Sequence, residues 1–174
     1  MAIRKILTEP DQFLRKKSIE VDQVDNSIRS LMDDMIETMY AAPGIGLAAI
    51  QIGVPKRVIV IDLSRDGEKK QPMYFVNPKI VSNSDSDASY EEGCLSVPNQ
   101  FAEINRPDKC DVHYLDYEGK KKNLKAEGLL ATCIQHEMDH LEGILFIDYL
   151  SKLKKNMIIK KLSKQKKSLE RIVV

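Results

Sequence analysis

Residues 109–141 read KCDVHYLDYEGKKKNLKAEGLLATCIQHEMDHL and decide the fold class of this chain. Two strand-like segments, 109–117 and 121–126, flank a Glu-Gly pair that is typical of a hairpin turn. Residues 127–141 then show apolar and histidine side chains at helical spacing. Strands that pair through a short turn, without helices between them, favour an α+β fold over a doubly wound parallel sheet.

Apolar spacing predicts further elements on both sides of this stretch. Residues 27–40 have the periodicity of an N-terminal helix, and a basic amphipathic helix is predicted from about Leu150. Residues 58–61 have the pattern of a short buried strand, and residues 74–81 that of a strand kinked at Asn77-Pro78. The predicted fold is therefore α+β, with antiparallel β-sheets packed around a central helix and with an N-terminal and a C-terminal helix.

Two segments have less regular patterns. Residues 44–53 contain three glycines among apolar residues, too many for a secure helix, yet the segment is too apolar for an exposed loop. Residues 82–89 are polar and are predicted to form a loop.

Length and composition restrict the class of protein. With 174 residues and 43% hydrophobic residues, the chain has the length of one domain and is too apolar to be disordered. Three cysteines exclude a disulfide-stapled secreted scaffold. No apolar run approaches the roughly 20 residues of a membrane span, and no signal or transit pattern is present. We therefore expect no membrane contact and a location in a bacterial cytoplasm.

The sequence His136-Glu137-Met138-Asp139-His140 is the strongest chemical signal. On a helix the two imidazoles lie on one face, about 6 Å apart along the axis, and can close on one metal ion. Glu137 can then reach a water on that ion as general base. The structural alternative is a pair of surface histidines on an ordinary helix.

A catalytic site of this type needs a third protein ligand. Phe146 occupies the position where a metzincin has its third histidine. Cys133 lies on the histidine stripe, but it is roughly 10 Å along the helix from His140 and too far to share a small ion. We therefore expect Cys133 to line a pocket or the core.

Cys94 is the better candidate for the third ligand. It follows Gly93, which permits unusual backbone geometry, and it precedes Pro98, which is expected to end strand pairing. A thiolate there could reach the helix from a facing strand, although a buried structural cysteine is the alternative. Cys110 is expected in the core, and His113 is expected to be solvated.

Three separated segments resemble the signature motifs of one family. Residues 44–51 (GIGLAAIQ), 92–96 (EGCLS) and 135–140 (QHEMDH) are similar to the three motifs of peptide deformylases, in the same order and at similar spacing. The resemblance extends from about Ile3 to the C-terminal helix. That basic helix resembles the bacterial class whose members end in one.

The resemblance implies a metal-dependent hydrolase that removes the formyl group from the N-terminal N-formylmethionine of new polypeptides and releases formate. Cys94, His136 and His140 would be the metal ligands, with water as the fourth. Coordination lowers the pKa of that water, and Glu137 would move its proton to the leaving amine. Fe²⁺ is the expected ion, with Zn²⁺, Ni²⁺ or Co²⁺ as substitutes.

The same resemblance implies how the substrate is held. The amide of Gln51 and the backbone N–H of Leu95 would stabilise the oxyanion. The walls of the methionine pocket would be Ile45, Glu92, Gly93, Leu129, Cys133 and His136, and the substrate peptide would pair strand-like with Ile45 and Gly46. Two positions depart from common members: Phe101 stands near the mouth where an arginine is frequent, and Thr132 where an aliphatic residue is common.

Charge is distributed unevenly along the chain. Residues 151–174 contain nine basic residues and one acidic residue, whereas residues 1–150 are net negative. We assign residues 1–150 to a catalytic part and residues 151–174 to a basic C-terminal helix of the same domain. The resemblance implies that this helix contacts the ribosome, where lysines would gain affinity by counterion release; an ordinary solvated helix is the alternative. The protein is expected to be a monomer.

Two other functions are alternatives to that of a deformylase. An HExxH endopeptidase would need a downstream ligand and would cleave internal peptide bonds. A structural metal site in an adaptor protein would need a fourth protein ligand, and Asp139 is expected to face away from the histidines.

Overall fold

The protein is described by a computed structural model that covers residues 2–65 and 67–172. Over these residues the elements are α1 (Asn26–Ala41), β1 (Gly46–Ala48), β2 (Val58–Ile61), β3 (Met73–Asn83), β4 (Asp87–Cys94), β5 (Val97–Pro107), β6 (Lys109–Leu115), β7 (Lys121–Glu127), α2 (Gly128–Leu141) and α3 (Lys152–Ile172). Short 3-10 helices are present at Gln12–Arg15, Ala49–Ile52 and Phe146–Tyr149. The α+β class predicted from the sequence is confirmed.

The strands form two antiparallel sheets. One has five strands in the order β1-β2-β3-β6-β7, and the other is the hairpin β4-β5. All four residues of β2 are buried, and their side chains alternate between the two faces. Val58 and Val60 pack with α1, whereas Ile59 and Ile61 pack with α2. The five-stranded sheet is thus covered on both faces.

Helix α1 begins where the sequence predicts, and the face that carries its methionines packs against the five-stranded sheet. The carboxylate of Asp25 accepts the backbone N–H of Ile28 at 3.0 Å and caps the helix. Met32, Met35 and Met39 are fully buried, at the three- and four-residue spacing of one helix face.

Helix α2 is the central element of the fold. It follows β7 directly and contacts both the five-stranded sheet and the hairpin. It ends before Gly143, which has a positive φ of 75°. A Cβ there would lie 2.4 Å from the carbonyl oxygen of Arg15, so only glycine fits. The predicted helix 127–141 and its end are confirmed.

Two local predictions differ from the structure. The loop predicted at residues 82–89 is limited to residues 84–86, because β3 runs to Asn83 and β4 starts at Asp87; the polar side chains of these strand ends suit faces that are largely exposed. Pro98 does not end the pairing of β5, which continues to Pro107. The register shifts beside Cys94, and a proline is tolerated in such a bulge because no ladder N–H is needed there.

The irregular segment 44–53 consists of the short strand β1 and a 3-10 helix. The apolar residues suit the strand, which is buried in the sheet. The glycines permit the sharp turns of the chain, as at Gly53, which has a left-handed conformation after the 3-10 helix.

Helix α3 packs against the short helix Phe146–Tyr149 and against β5. Leu162 is buried there with Phe146 and Val97, and Lys155 forms an ion pair with Asp148 at 2.5 Å. Among the described residues, no helix combines the length and the apolarity that crossing a membrane requires.

Candidate metal and catalytic site

Three potential metal ligands converge between the hairpin and the central helix. Cys94 is the last residue of β4, and His136 and His140 lie one turn apart on α2. One donor atom of each lies within 4.8 Å of the others, and the Cys94 Sγ is 3.3 Å from the Nε2 of His140. Tetrahedral bonds of about 2.0–2.3 Å would separate such donors by roughly 3.5 Å. The cluster therefore fits a single small divalent ion.

The position of Cys94 depends on a tight turn. Leu95 and Ser96 connect the two strands of the hairpin, and Cys94 pairs with Val97 directly across this turn. The register shift between Gly93 and Cys94 turns the strand end towards α2. The bulge thus aims the thiol at the histidines.

A buried ionic network fixes the ring of His136. Its Nδ1 lies 2.8 Å from a carboxylate oxygen of Glu92, and Arg106 donates two hydrogen bonds to the same carboxylate at 2.5 and 3.0 Å. Arg106 also donates to Asp139 at 2.8 Å. Burial alone would raise the pKa of Glu92, but the bonds from His136 and Arg106 outweigh it and lower the pKa. An ionised Glu92 holds the proton on Nδ1 and leaves Nε2 for an ion.

Glu137 lies beside the cluster with an unused oxygen. Its side chain is buried, and its Oε2 has no hydrogen-bond partner among the described residues. Burial raises the pKa of Glu137 to about 7, and the nearby His136 partly opposes this shift. A carboxyl group in this state can take up and release a proton near neutral pH.

Gly46 allows β1 to approach Glu137 closely. A Cβ at Gly46 would lie 2.4 Å from the Oε1 of Glu137 and 3.0 Å from the Sγ of Cys133. Real Cβ atoms are not found at the first of these distances, so any side chain at Gly46 would displace the carboxylate.

Gly46→Ala is expected to lower kcat/KM on the order of 10²-fold, because moving a catalytic group by about 1 Å has an effect of this size. Formate release from a formyl-Met peptide measures it. Gly44→Ala is the comparison, since its Cβ would meet the side chains of Leu95 and Met39 and not the carboxylate of Glu137. An equal loss in both variants would contradict the specific role of Gly46.

The amide of Gln51 has a defined orientation. Its Oε1 accepts the backbone N–H of Ala48 at 2.8 Å, and its Nε2 donates to Ser96 Oγ at 3.1 Å. The same nitrogen lies 3.6 Å from the Sγ of Cys94. Because Oε1 is occupied, the donor end of the amide points to the cluster.

A cavity of about 420 Å³ opens beside the three ligands. The residues that the sequence predicted for substrate binding all line it: Ile45, Gly46, Glu92, Gly93, Leu129, Cys133 and His136. Gln51, Cys94, Leu95 and Glu137 also reach it, as do Phe101 and Thr132. The structure thus brings the predicted residues together at one place, with His140 behind them and fully buried.

The other cysteines lie outside the ligand cluster. Cys133 is a cavity wall, and burial, followed by the charge of Glu137, raises the pKa of its thiol well above the usual value. Cys110 is buried in the core and His113 is exposed, as predicted.

Arg106 was missed in the sequence, although a signal for it was present. Ile104 and Arg106 are two residues apart on β5 and therefore on one face, and both are buried. An arginine at a core position needs acidic partners, which here are Glu92 and Asp139. Asp139 also accepts the hydroxyl of Tyr149.

Comparison with known proteins decides the family. The sequence model of the family described as "Polypeptide deformylase" matches residues 3–156 of the chain. The chain belongs to the polypeptide deformylase family. It is 69% identical to the peptide deformylase of Pelagibacter ubique over 174 residues, which is 100% of both chains. It is 62% identical to the peptide deformylase of Phenylobacterium zucineum, over 97% of this chain and 99% of the relative.

Solved deformylases share the fold. The crystal structure of peptide deformylase from Ehrlichia chaffeensis superposes with a TM-score of 0.91 at 45% identity and covers 96% of this chain and 98% of its own. The chain is therefore a metal-dependent hydrolase that removes the N-formyl group from nascent peptides. The predicted family and activity are confirmed.

Proposed function

We propose that Cys94, His136 and His140 hold one divalent ion, with Fe²⁺ as the ion used in the cell and Zn²⁺, Ni²⁺ or Co²⁺ as substitutes. The convergence of one thiol and two imidazoles within 4.8 Å is the observation that carries this assignment. When bound, such an ion is a Lewis acid that polarises a carbonyl and acidifies water at its open position. A tetrahedral set of two nitrogens and one sulfur leaves that position free.

Glu137 serves as the proton carrier of the reaction. Its free Oε2 takes the proton of the attacking water and then delivers it to the amine of the methionine as the formyl C–N bond breaks. Formate and a free amino terminus result. Because Glu137 is shielded from solvent, the proton stays within the site.

Gln51 and Leu95 stabilise the oxygen of the formyl group as it becomes negative. The Nε2 of Gln51 is directed to the ligand cluster, and Leu95 lies in the turn beside Cys94. The backbone N–H of Leu95 and the amide of Gln51 together form the oxyanion site.

Gln51→Glu is expected to reduce kcat by about 10²- to 10³-fold with little change in KM, because it removes a donor to the oxyanion and keeps the volume. Steady-state kinetics with a formyl-Met tripeptide measure both constants. Metal content, determined on the same sample, has to stay at the level of the unmodified enzyme. An unchanged kcat would refute the assignment of this donor.

The cavity beside the ligands selects the methionine side chain. Ile45, Gly46, Glu92, Gly93, Leu129 and Cys133 form its walls, and a narrow apolar slot suits one unbranched side chain. β1 is an edge strand of its sheet, so the substrate backbone can add alongside Ile45 and Gly46.

One experiment separates this function from the two alternatives. Enzyme purified without oxygen is analysed for bound metal and assayed for formate release from formyl-Met-Ala-Ser. We expect one ion per chain, predominantly iron, and formate as the product. Cleavage of internal peptide bonds would indicate an endopeptidase, and bound metal without any turnover would indicate a structural site.

We also propose a cellular setting for the reaction. Residues 1–150 form the catalytic part and residues 151–174 the basic helix of one domain, which acts as a monomer in the bacterial cytoplasm. Lysines of α3 such as Lys152, Lys166 and Lys167 are exposed and could contact ribosomal RNA phosphates near emerging chains. Co-sedimentation with ribosomes at low and high salt tests this contact.

A further inference from the structure

A second groove adjoins the substrate cavity. It has a volume of about 920 Å³ and lies between β5 and α3. Gln100 and Phe101 line both the groove and the cavity, so the two spaces meet at these residues. Phe101 pairs with Gly93, next to Cys94, and the residue is 65% exposed. A chain that leaves the cavity past Phe101 therefore enters this groove.

The groove has an apolar floor and a basic rim. Met157 and Ile158 of α3 form the floor, and Met157 is 63% exposed. The rim consists of four exposed lysines: Lys154, Lys160, Lys161 and Lys164. Glu103 is the one acidic residue that lines the groove within the described part of the chain.

The lysines of the rim are available to a ligand. Among the described residues, none of the four ammonium groups lies within 4.0 Å of a carboxylate, whereas the neighbouring Lys155 is bound to Asp148. Lys154 and Lys161 are seven residues, or two helical turns, apart, and Lys164 follows Lys161 by three residues, so the three share the face that borders the groove. The rim thus has unneutralised positive charge.

We propose that this groove is a distal binding site for the substrate chain and that it favours formylated peptides with acidic residues from about the fifth position onward. The inference rests on the deformylase function. The segment from Lys154 to Lys164 is about 15 Å long, which matches four to five extended residues. The residues before them occupy the cavity and pass Phe101. The carboxylates of the peptide form ion pairs with the lysines of the rim. The methylene groups of the same side chains cover Met157.

The test uses substrates that differ only in their distal half. Formyl-Met-Ala-Ser-Ala is extended by four glutamates, four serines or four lysines, and kcat/KM of each is divided by that of formyl-Met-Ala-Ser. At low salt we expect this ratio to be about tenfold higher for the glutamate peptide than for the lysine peptide, from several weak exposed ion pairs. The difference should disappear at about 0.5 M salt because surface charges are then screened.

Matched charge reversals locate the effect. The groove variant is Lys160→Glu/Lys161→Glu/Lys164→Glu. The control is Lys79→Glu/Lys121→Glu/Lys125→Glu, at exposed positions of β3 and β7 that line neither space. The net charge changes equally in both. The proposal requires that the groove variant loses or inverts the preference and that the control keeps it.

Three outcomes overturn the proposal. The first is a ratio that does not depend on the distal sequence, and the second is an equal loss in the control, which would show only a long-range field effect. The third is a groove variant that keeps the peptide preference but loses affinity for a short RNA, which would make the rim an RNA surface. Absence of formate release from formyl-Met-Ala-Ser itself would instead refute the deformylase function.

Discussion

Replacing Glu137 by alanine is expected to reduce kcat/KM of formyl-Met peptides by about 10³- to 10⁴-fold, the upper part of the range for loss of a general acid–base. The variant has no group at the position of the free Oε2 that could carry the proton from water to the leaving amine. Formate release under single-turnover conditions measures the loss in the chemical step. Metal content should be retained, since the three proposed ligands are unchanged.

A second glutamate of the same helix region provides the control. Glu127 precedes α2, its carboxylate caps no backbone N–H, and its side chain is 75% exposed. Glu127→Ala should keep nearly full activity. If Glu137→Ala also retained activity with its ion bound, another group would have to move the proton.

Arg106→Met is expected to cause the largest loss of stability, about 3–5 kcal/mol in the free energy of unfolding, as is typical when one partner of a buried ion pair is removed. The side chains of Arg106 and Glu92 are only 4% and 5% exposed. Without the guanidinium, Glu92 remains charged and buried, with His136 as its main partner. Urea unfolding of the metal-free protein measures the effect without a contribution from ion binding.

A double variant distinguishes an unpaired charge from lost packing. Adding Glu92→Gln to Arg106→Met removes the unpaired buried carboxylate. The double variant should therefore be less destabilised than Arg106→Met alone. Lys122→Met, which breaks an exposed pair with Asp116, should change stability by less than about 1 kcal/mol. A double variant that is no more stable than Arg106→Met alone would show that lost packing dominates.

The fold could be predicted best where burial alone determines the pattern. β2 was predicted over the same four residues that the structure shows, because both of its faces are covered and every residue is apolar. The β4-β5 hairpin was not predicted as a long pair. Residues 82–89 are polar because the end of β3, the start of β4 and the connection between them are largely exposed, and a polar segment has no strong period.

In the candidate site, too, some residues could be predicted from local sequence and others depend on long-range contacts. His136, Glu137 and His140 could be found from local spacing, because a helix turn brings them together. The proximity of Cys94 depends on a bulge, and the partners of Arg106 lie in β4 and α2. Such long-range contacts leave no periodic mark in one sequence. The residues alone made Cys94 a candidate ligand and the resemblance to known motifs supported it, whereas the alternation of β5 could have indicated a buried Arg106 but not its partners.

The proposed ligands come from two separate layers: the thiol from the tip of a two-stranded hairpin and the imidazoles from the helix against the larger sheet. An ion bound there is a reversible cross-link between these layers. Each tenfold rise in free ion above its dissociation constant then adds about 1.4 kcal/mol to the stability of the native state. By reciprocity, any substitution that loosens the hairpin from the helix weakens metal affinity, even when it touches no ligand.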